Sequence, residues 1–100
     1  MYGEGKGVPE DYKQAIIWYT KAAEQGFASA QAMIGFMYVQ GKGVPQDYVK
    51  AHMWLNLSAA SGDENASSGR DIVTKYMSDS QIAKAQTLAR ECLARNYQNC

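Results

Sequence analysis

Two stretches of this chain say the same thing. Gly41-Lys42-Gly43-Val44-Pro45-Gln46-Asp47-Tyr48 repeats Gly5-Lys6-Gly7-Val8-Pro9-Glu10-Asp11-Tyr12 at a distance of 36 residues. The register persists on both sides: Met1-Tyr2 with Met37-Tyr38, Ala15 with Ala51, Trp18 with Trp54, Ala23 with Ala59, Gly26 with Gly62. Of positions 1–30 set against 37–66, fourteen are identical and no gap is needed. A fixed period of this size in a helix-rich chain means stacked helical hairpins, none of which can bury its apolar face alone.

The loop reads as a turn between helices. Gly41 follows a helical stretch, where a residue past the helix end often takes a positive φ that only glycine adopts cheaply. Gly43 permits a second reversal, and Val44 is the apolar side chain that plugs the hairpin end. Pro45 fixes φ ahead of the next helix, which Asp47 is placed to cap. In the first copy Asp11-Tyr12-Lys13-Gln14 has the capping-box spacing. The Gly-Lys-Gly is not a phosphate loop, which needs four residues between its first Gly and Gly-Lys and then Ser or Thr. Here Gly35 and Gly41 enclose five residues and Gly43 stands in the hydroxyl's place.

The residues Ala30, Ile34-Gly35, Tyr38, Gly41, Gly43-Val44, Asp47, Ala51, Trp54, Ala59 and Gly62 resemble those of the Sel1-like repeat family, relatives of the tetratricopeptide repeats. The resemblance covers residues 1 to about 76. It implies an all-α fold, an α-α superhelix: a right-handed solenoid of antiparallel helix pairs serving as a scaffold or adaptor for protein and peptide partners, without catalytic residues. Gly5, Gly7, Val8, Asp11, Ala15, Trp18, Gly35, Tyr38, Gly41, Gly43, Val44, Asp47, Ala51 and Trp54 are then structural repeat positions.

Periodicity divides the chain into one repeat domain. Residues 1–26 form a partial unit whose leading helix is missing, with Met1-Tyr2 as that helix's last turn, followed by a helix over 11–25. Tyr12, Ala15, Ile16, Tyr19, Ala22 and Ala23 line its buried face, and Trp18 beside them reaches toward the next hairpin. Residues 27–62 form a complete unit. Its first helix, 28–39, has Ala30, Met33, Ile34, Met37 and Tyr38 in its core stripe. Gly35 there costs roughly 1 kcal/mol relative to Ala, a cost offset by close approach of a helix carrying Ala51 and Ala59. The second helix, 47–61, turns Tyr48, Ala51, Leu55 and Ala59 inward, with Trp54 repeating the role of Trp18. Residues 63–76 hold a degenerate helix with Gly69, Ile72, Val73 and Tyr76 inward. Ser78-Asp79-Ser80-Gln81 is a capping box that opens a C-terminal capping helix to about Arg95, residues 77–100 being that helix and a tail, with Ile82, Ala85, Ala89, Cys92 and Leu93 on its apolar face.

Composition narrows the function. Ten basic and ten acidic residues cancel, so charge gives no support for a nucleic-acid partner. No apolar stretch approaches the ~18–20 residues of a membrane span, and the N-terminus lacks the basic-then-apolar pattern of a signal peptide. Two cysteines and one histidine are too few for a four-ligand zinc site, and no cofactor is expected. His52 has no serine or cysteine placed to use it as a base, and a partly exposed helical histidine is the plainer reading. Some cysteine-rich members of the family are credited with β-lactam binding or hydrolysis, but no Ser-x-x-Lys pair occurs here, so the serine route has no support.

Cys92 and Cys100 have two readings. The turn at Asn96-Tyr97-Gln98-Asn99 could bring them within the ~7 Å Cα separation a disulfide needs; alternatively Cys92 is a buried thiol and Cys100 a free one. A disulfide would argue for export, and its absence for the cytoplasm. Binding falls to Ala32, Phe36 and Val39, a line on the first helix of the complete unit, pointing away from Ile34 and Tyr38. Phe36 there is either a partner contact on the concave face or packing on the adjacent first helix. The uncovered stripe of helix 11–25 should also drive dimerisation, helix exchange or docking of upstream sequence.

Overall fold

The computed structural model describes residues 8–100, with side chains from Tyr12 onward. Among these residues are five helices and no strand: α1 (Val8–Glu24), α2 (Ala28–Gln40), α3 (Tyr48–Ala60), α4 (Glu64–Thr74) and α5 (Asp79–Ala94). The proposed last turn at Met1-Tyr2, the loop glycines Gly5 and Gly7 and the side-chain roles given to Val8 and Asp11 lie outside the described residues.

Helix α1 packs on α2, α2 on α3 and α3 on α4, and α5 returns to lie on α3. Hydrogen bonds between opposite ends fix the antiparallel sense. Gln31 Nε2, at the start of α2, donates to the carbonyl of Ala23 at the end of α1 (3.2 Å). Ser58 Oγ, at the end of α3, donates to the carbonyl of Ala28 at the start of α2. Helix α3 is therefore central, with α2, α4 and α5 around it. It buries Ala51, His52, Met53, Trp54, Leu55, Leu57 and Ser58, more than one stripe, as a helix covered on several sides must.

Small residues set how closely α2 and α3 approach. A Cβ on Gly35 would lie 2.7 Å from Leu55 Cγ and 3.2 Å from the carbonyl oxygen of Ala51. Gly35 therefore admits a leucine from the facing helix.

The helix ends follow their local chemistry. Gly41 takes φ 71° and its N–H donates to the Met37 carbonyl. The carboxylate of Asp47 accepts from the Lys50 N–H at 3.0 Å, and Asp63 does the same for Ala66 at 2.9 Å. Ser78 and Gln81 form a complete capping box. The two copies of the loop part company before their second helices, because α1 begins at Val8 and α3 only at Tyr48. Asp11 thus stands inside α1 rather than at its cap. Segment 44–46 is held away from helix by the Asp47 N–H donating to the Tyr38 carbonyl and Gln46 Nε2 donating to the Val39 carbonyl. Pro9 is tolerated in the first turn because its missing N–H would have had no partner there.

Several inward assignments need correction. Trp54 is 4% exposed but Trp18 is 64% exposed. Trp54 packs in one cluster with Ala89 and Cys92 of α5, whereas Trp18 carries Lys21 over its ring at 5.0 Å. Met33, Ile72, Tyr76 and Leu93 are also exposed. Met33, Ile72 and Leu93 stand on helix sides left largely uncovered by the described neighbours, whereas Tyr76 lies past the end of α4 with its ring stacked on Tyr48, centroids 5.8 Å apart. His52, read as partly exposed, is buried because α3 is enclosed.

Candidate protein-interaction site

Helix α2 has two flanks outside its contact with α3, and they differ. On one flank Ala32, Phe36 and Val39 face α4. They form an apolar cluster with Leu55, Ala66 and Val73, in which Ala32 is fully buried and Phe36 and Val39 are half-buried. Phe36 lies over Gly69, where an added Cβ would come within 2.6 Å of the Phe36 ring. Of the two readings of Phe36, packing on the adjacent first helix describes this contact. Ala32 has no surface left to offer a partner.

The other flank is open. Tyr12, Ala15 and Tyr19 of α1 and Met33, Phe36, Met37 and Gln40 of α2 enclose a groove of about 190 Å³. Phe36 thus contributes to both flanks. Lys42 closes one end: its ammonium donates to the Tyr12 hydroxyl at 3.1 Å and sits 5.0 Å from that ring. The turn carrying Lys42 is pressed on α1. Gly43 has φ 78°, and a Cβ there would meet the Tyr12 carbonyl oxygen at 2.7 Å. An apolar trough with aromatic walls and one cationic end suits an amphipathic segment of protein. Sequence reasoning placed Met33 in the core. It did identify Tyr12, Ala15 and Tyr19 as a stripe with one side uncovered, and that was the available signal for this groove.

A second depression, about 300 Å³, lies between α3 and α5 and is lined by Asn56, Leu57, Ala60, Ala89, Arg90 and Leu93, among others. Leu93 is 54% exposed at its rim.

Two titratable groups among the described residues are shifted by their surroundings. Burial, then the guanidinium of Arg70, holds the His52 imidazole below its usual pKa, with Asp71 opposing. Its Nδ1 is buried without a hydrogen-bond partner. Burial, then the nearby Asp47, pushes the Tyr38 phenol up. Among the described residues no three His, Cys, Asp or Glu side chains gather as a metal site, and no helix is long and apolar enough to cross a membrane.

Cys92 and Cys100 form a disulfide with Cα atoms 5.5 Å apart. It closes a tail in which Asn96, Tyr97 and Asn99 take positive φ. The tail reaches back to α1, where Gln98 Nε2 donates to the Glu24 carbonyl at 2.9 Å. Tyr97 lies against Gly26, its Cε2 3.6 Å from where a Cβ would stand.

A search of curated proteins found no match. Among solved structures the chain is similar to a protective antigen present in uropathogenic Escherichia coli strains and displaying an SLR fold, with 33% identity and a TM-score of 0.80. That match covers 94% of this chain but 21% of the antigen, so the chain spans about a fifth of its length. The Sel1 repeat family model matches residues 1–27 and 28–63. With the 36-residue period and the helix pairs already described, this places the chain in the Sel1 repeat family.

Proposed function

We propose that this chain is a non-catalytic helical scaffold that holds a helical segment of a protein or peptide in the groove between α1 and α2. The observation that carries the reading is the groove itself: aromatic and thioether side chains, with Met33 40% exposed, on helices otherwise well packed. Phe36 shares in the groove's lining, whereas Val39 belongs to the cluster on the α4 side. Membership of a repeat family whose helices present extended surfaces supports the same reading.

Met33 provides the clean test. Phe36→Glu would also disturb the packing on Gly69, so loss of binding by that variant would be ambiguous. Helical peptides selected from a display library on the purified chain should lose binding to Met33→Glu, while that variant melts within about 2 °C of the parent, as a surface change does. Selection that yields only binders indifferent to Met33→Glu would overturn the assignment.

Self-association is a second reading. Ile17, Trp18 and Phe27 are 49%, 64% and 59% exposed at the α1 end of the molecule. A chain that scatters light as a monomer at tens of micromolar removes it.

A further inference from the structure

The bridge between Cys92 and Cys100 ties the two ends of the helix array together. Among the described residues α2 is the one helix in extensive contact with α1. The turn carrying Lys42 and Gly43 holds the start of α1 at Tyr12. At the other end a further hold comes from the segment that the bridge closes. Gln98 Nε2 donates to the Glu24 carbonyl, one of the last carbonyls of α1, which a helix end leaves without an internal partner. The Tyr97 ring lies against Gly26. Tyr97 and Cys100 also pack against the cluster of Ala23, Trp54 and Cys92, which Ile16, Tyr19 and Ala22 of α1 join. The segment is thus a strap from the end of α5 to the end of α1.

The strap depends on its covalent closure. Asn96, Tyr97 and Asn99 take φ of 57°, 65° and 59°, a left-handed conformation that L-residues adopt at a cost. Asparagine bears that cost more easily than tyrosine, because its side-chain amide can bond the local backbone. Gln98 is exposed, so its bond to α1 competes with water. The disulfide offsets these costs by limiting the conformations open to the free chain. Cys92 is fully buried and Cys100 half-buried, so a thiolate has access to the bridge at the Cys100 sulfur.

We propose that this bridge is a redox latch on the α1–α2 groove: closed, it fixes the α1 wall, and a low-molecular-weight thiol opens it. The inference rests on the reading that the groove holds a helix, and it names what regulates that site. The thiolate of one reductant attacks Cys100 Sγ, the bond to Cys92 breaks, and the Cys92 sulfur leaves and takes up a proton. A second thiol then displaces Cys100 from the mixed disulfide. One protein disulfide and two thiols become two cysteine thiols and one small-molecule disulfide. Freed of the strap, the last turns of α1 fray. Tyr19 carries the effect to the groove, because it lines the groove and packs on the cluster that the strap closes. A wall in its binding geometry for only part of the time lowers apparent affinity by that fraction.

The test compares the oxidised chain, the same chain equilibrated in millimolar reduced glutathione, and Cys100→Ser. Mass spectrometry of the alkylated protein reads the bridge, hydrogen exchange reads each helix, and titration with a Met33-dependent helical peptide reads the groove. Opening the bridge should raise the ratio of exchange rates at residues 20–27 to those at residues 51–57 of α3 by about tenfold. It should weaken the peptide by about tenfold as well. Cys100→Ser should behave as the reduced parent with or without glutathione. A bridge that stays closed in glutathione overturns the proposal. So does an unchanged ratio, since a disulfide that only adds global stability speeds both helices equally. A raised ratio with unchanged peptide affinity overturns the latch and leaves the scaffold reading standing. If no selected peptide depends on Met33, the scaffold reading falls and the latch on that groove falls with it.

Discussion

Replacing Gly35 by alanine sets two effects of known size against each other. In an isolated helix the change stabilises by about 1 kcal/mol, because alanine loses less backbone freedom on folding. In this fold the new methyl would lie 2.7 and 2.8 Å from Leu55 Cγ and Cδ2 and 3.2 Å from the carbonyl oxygen of Ala51. Leu55 is fully buried and its Cγ is near the backbone, so the contact is relieved only by moving α3. Overpacking of this kind costs about 1–3 kcal/mol. The net expectation for Gly35→Ala is a loss of about 1 kcal/mol, or about 4–8 °C in melting temperature for a domain of this size. Leu55→Ala alone should cost about 2–5 kcal/mol through the cavity it leaves. With that cavity present, the Gly35 methyl has room and the propensity gain survives, so Gly35→Ala becomes stabilising. Urea melts of the four proteins measure a coupling of about 2 kcal/mol. Additivity within about 0.5 kcal/mol, or a more stable Gly35→Ala in the parent background, would refute the claim that close helix approach determines this residue.

Other perturbations test separate parts of the fold. Gly43→Ala should destabilise by more than about 2 kcal/mol, since a left-handed φ costs a non-glycine residue about 1–2 kcal/mol and the methyl would strike the Tyr12 backbone at 2.7 Å; a change under about 0.5 kcal/mol in a urea melt would contradict the geometry. His52 has a folded pKa depressed by burial and Arg70, so between that value and about 6.5 the unfolded chain binds more protons. Its contribution to stability is complete above about pH 6.5 and is lost as pH falls through the folded pKa. Urea melts from pH 7.5 down to 5 should therefore show a slope in the parent that His52→Gln reduces. Cys100→Ser opens a loop of sequence separation 8 and should cost about 2 kcal/mol; hydrogen exchange at Phe27, next to the Gly26 turn that Tyr97 covers, should accelerate with it.

What the sequence settled by itself was local or periodic. The 36-residue period identified paired helices. The breaks at Gly41 and Gly62, the cap at Asp47 and the box at Ser78-Gln81 lie where the helices start and stop, because these features depend on a few neighbouring backbone groups. Tertiary structure decided which apolar side chains are covered. Trp18 and Trp54 share a register, yet only Trp54 has α5 against it. Met33 and Gly69 likewise share a register, but Phe36 covers only Gly69. A helix stripe records which face is apolar, whereas burial requires a second surface. In a solenoid that surface belongs to the adjacent unit, so identical positions in successive repeats end up buried or bare according to what lies beside them.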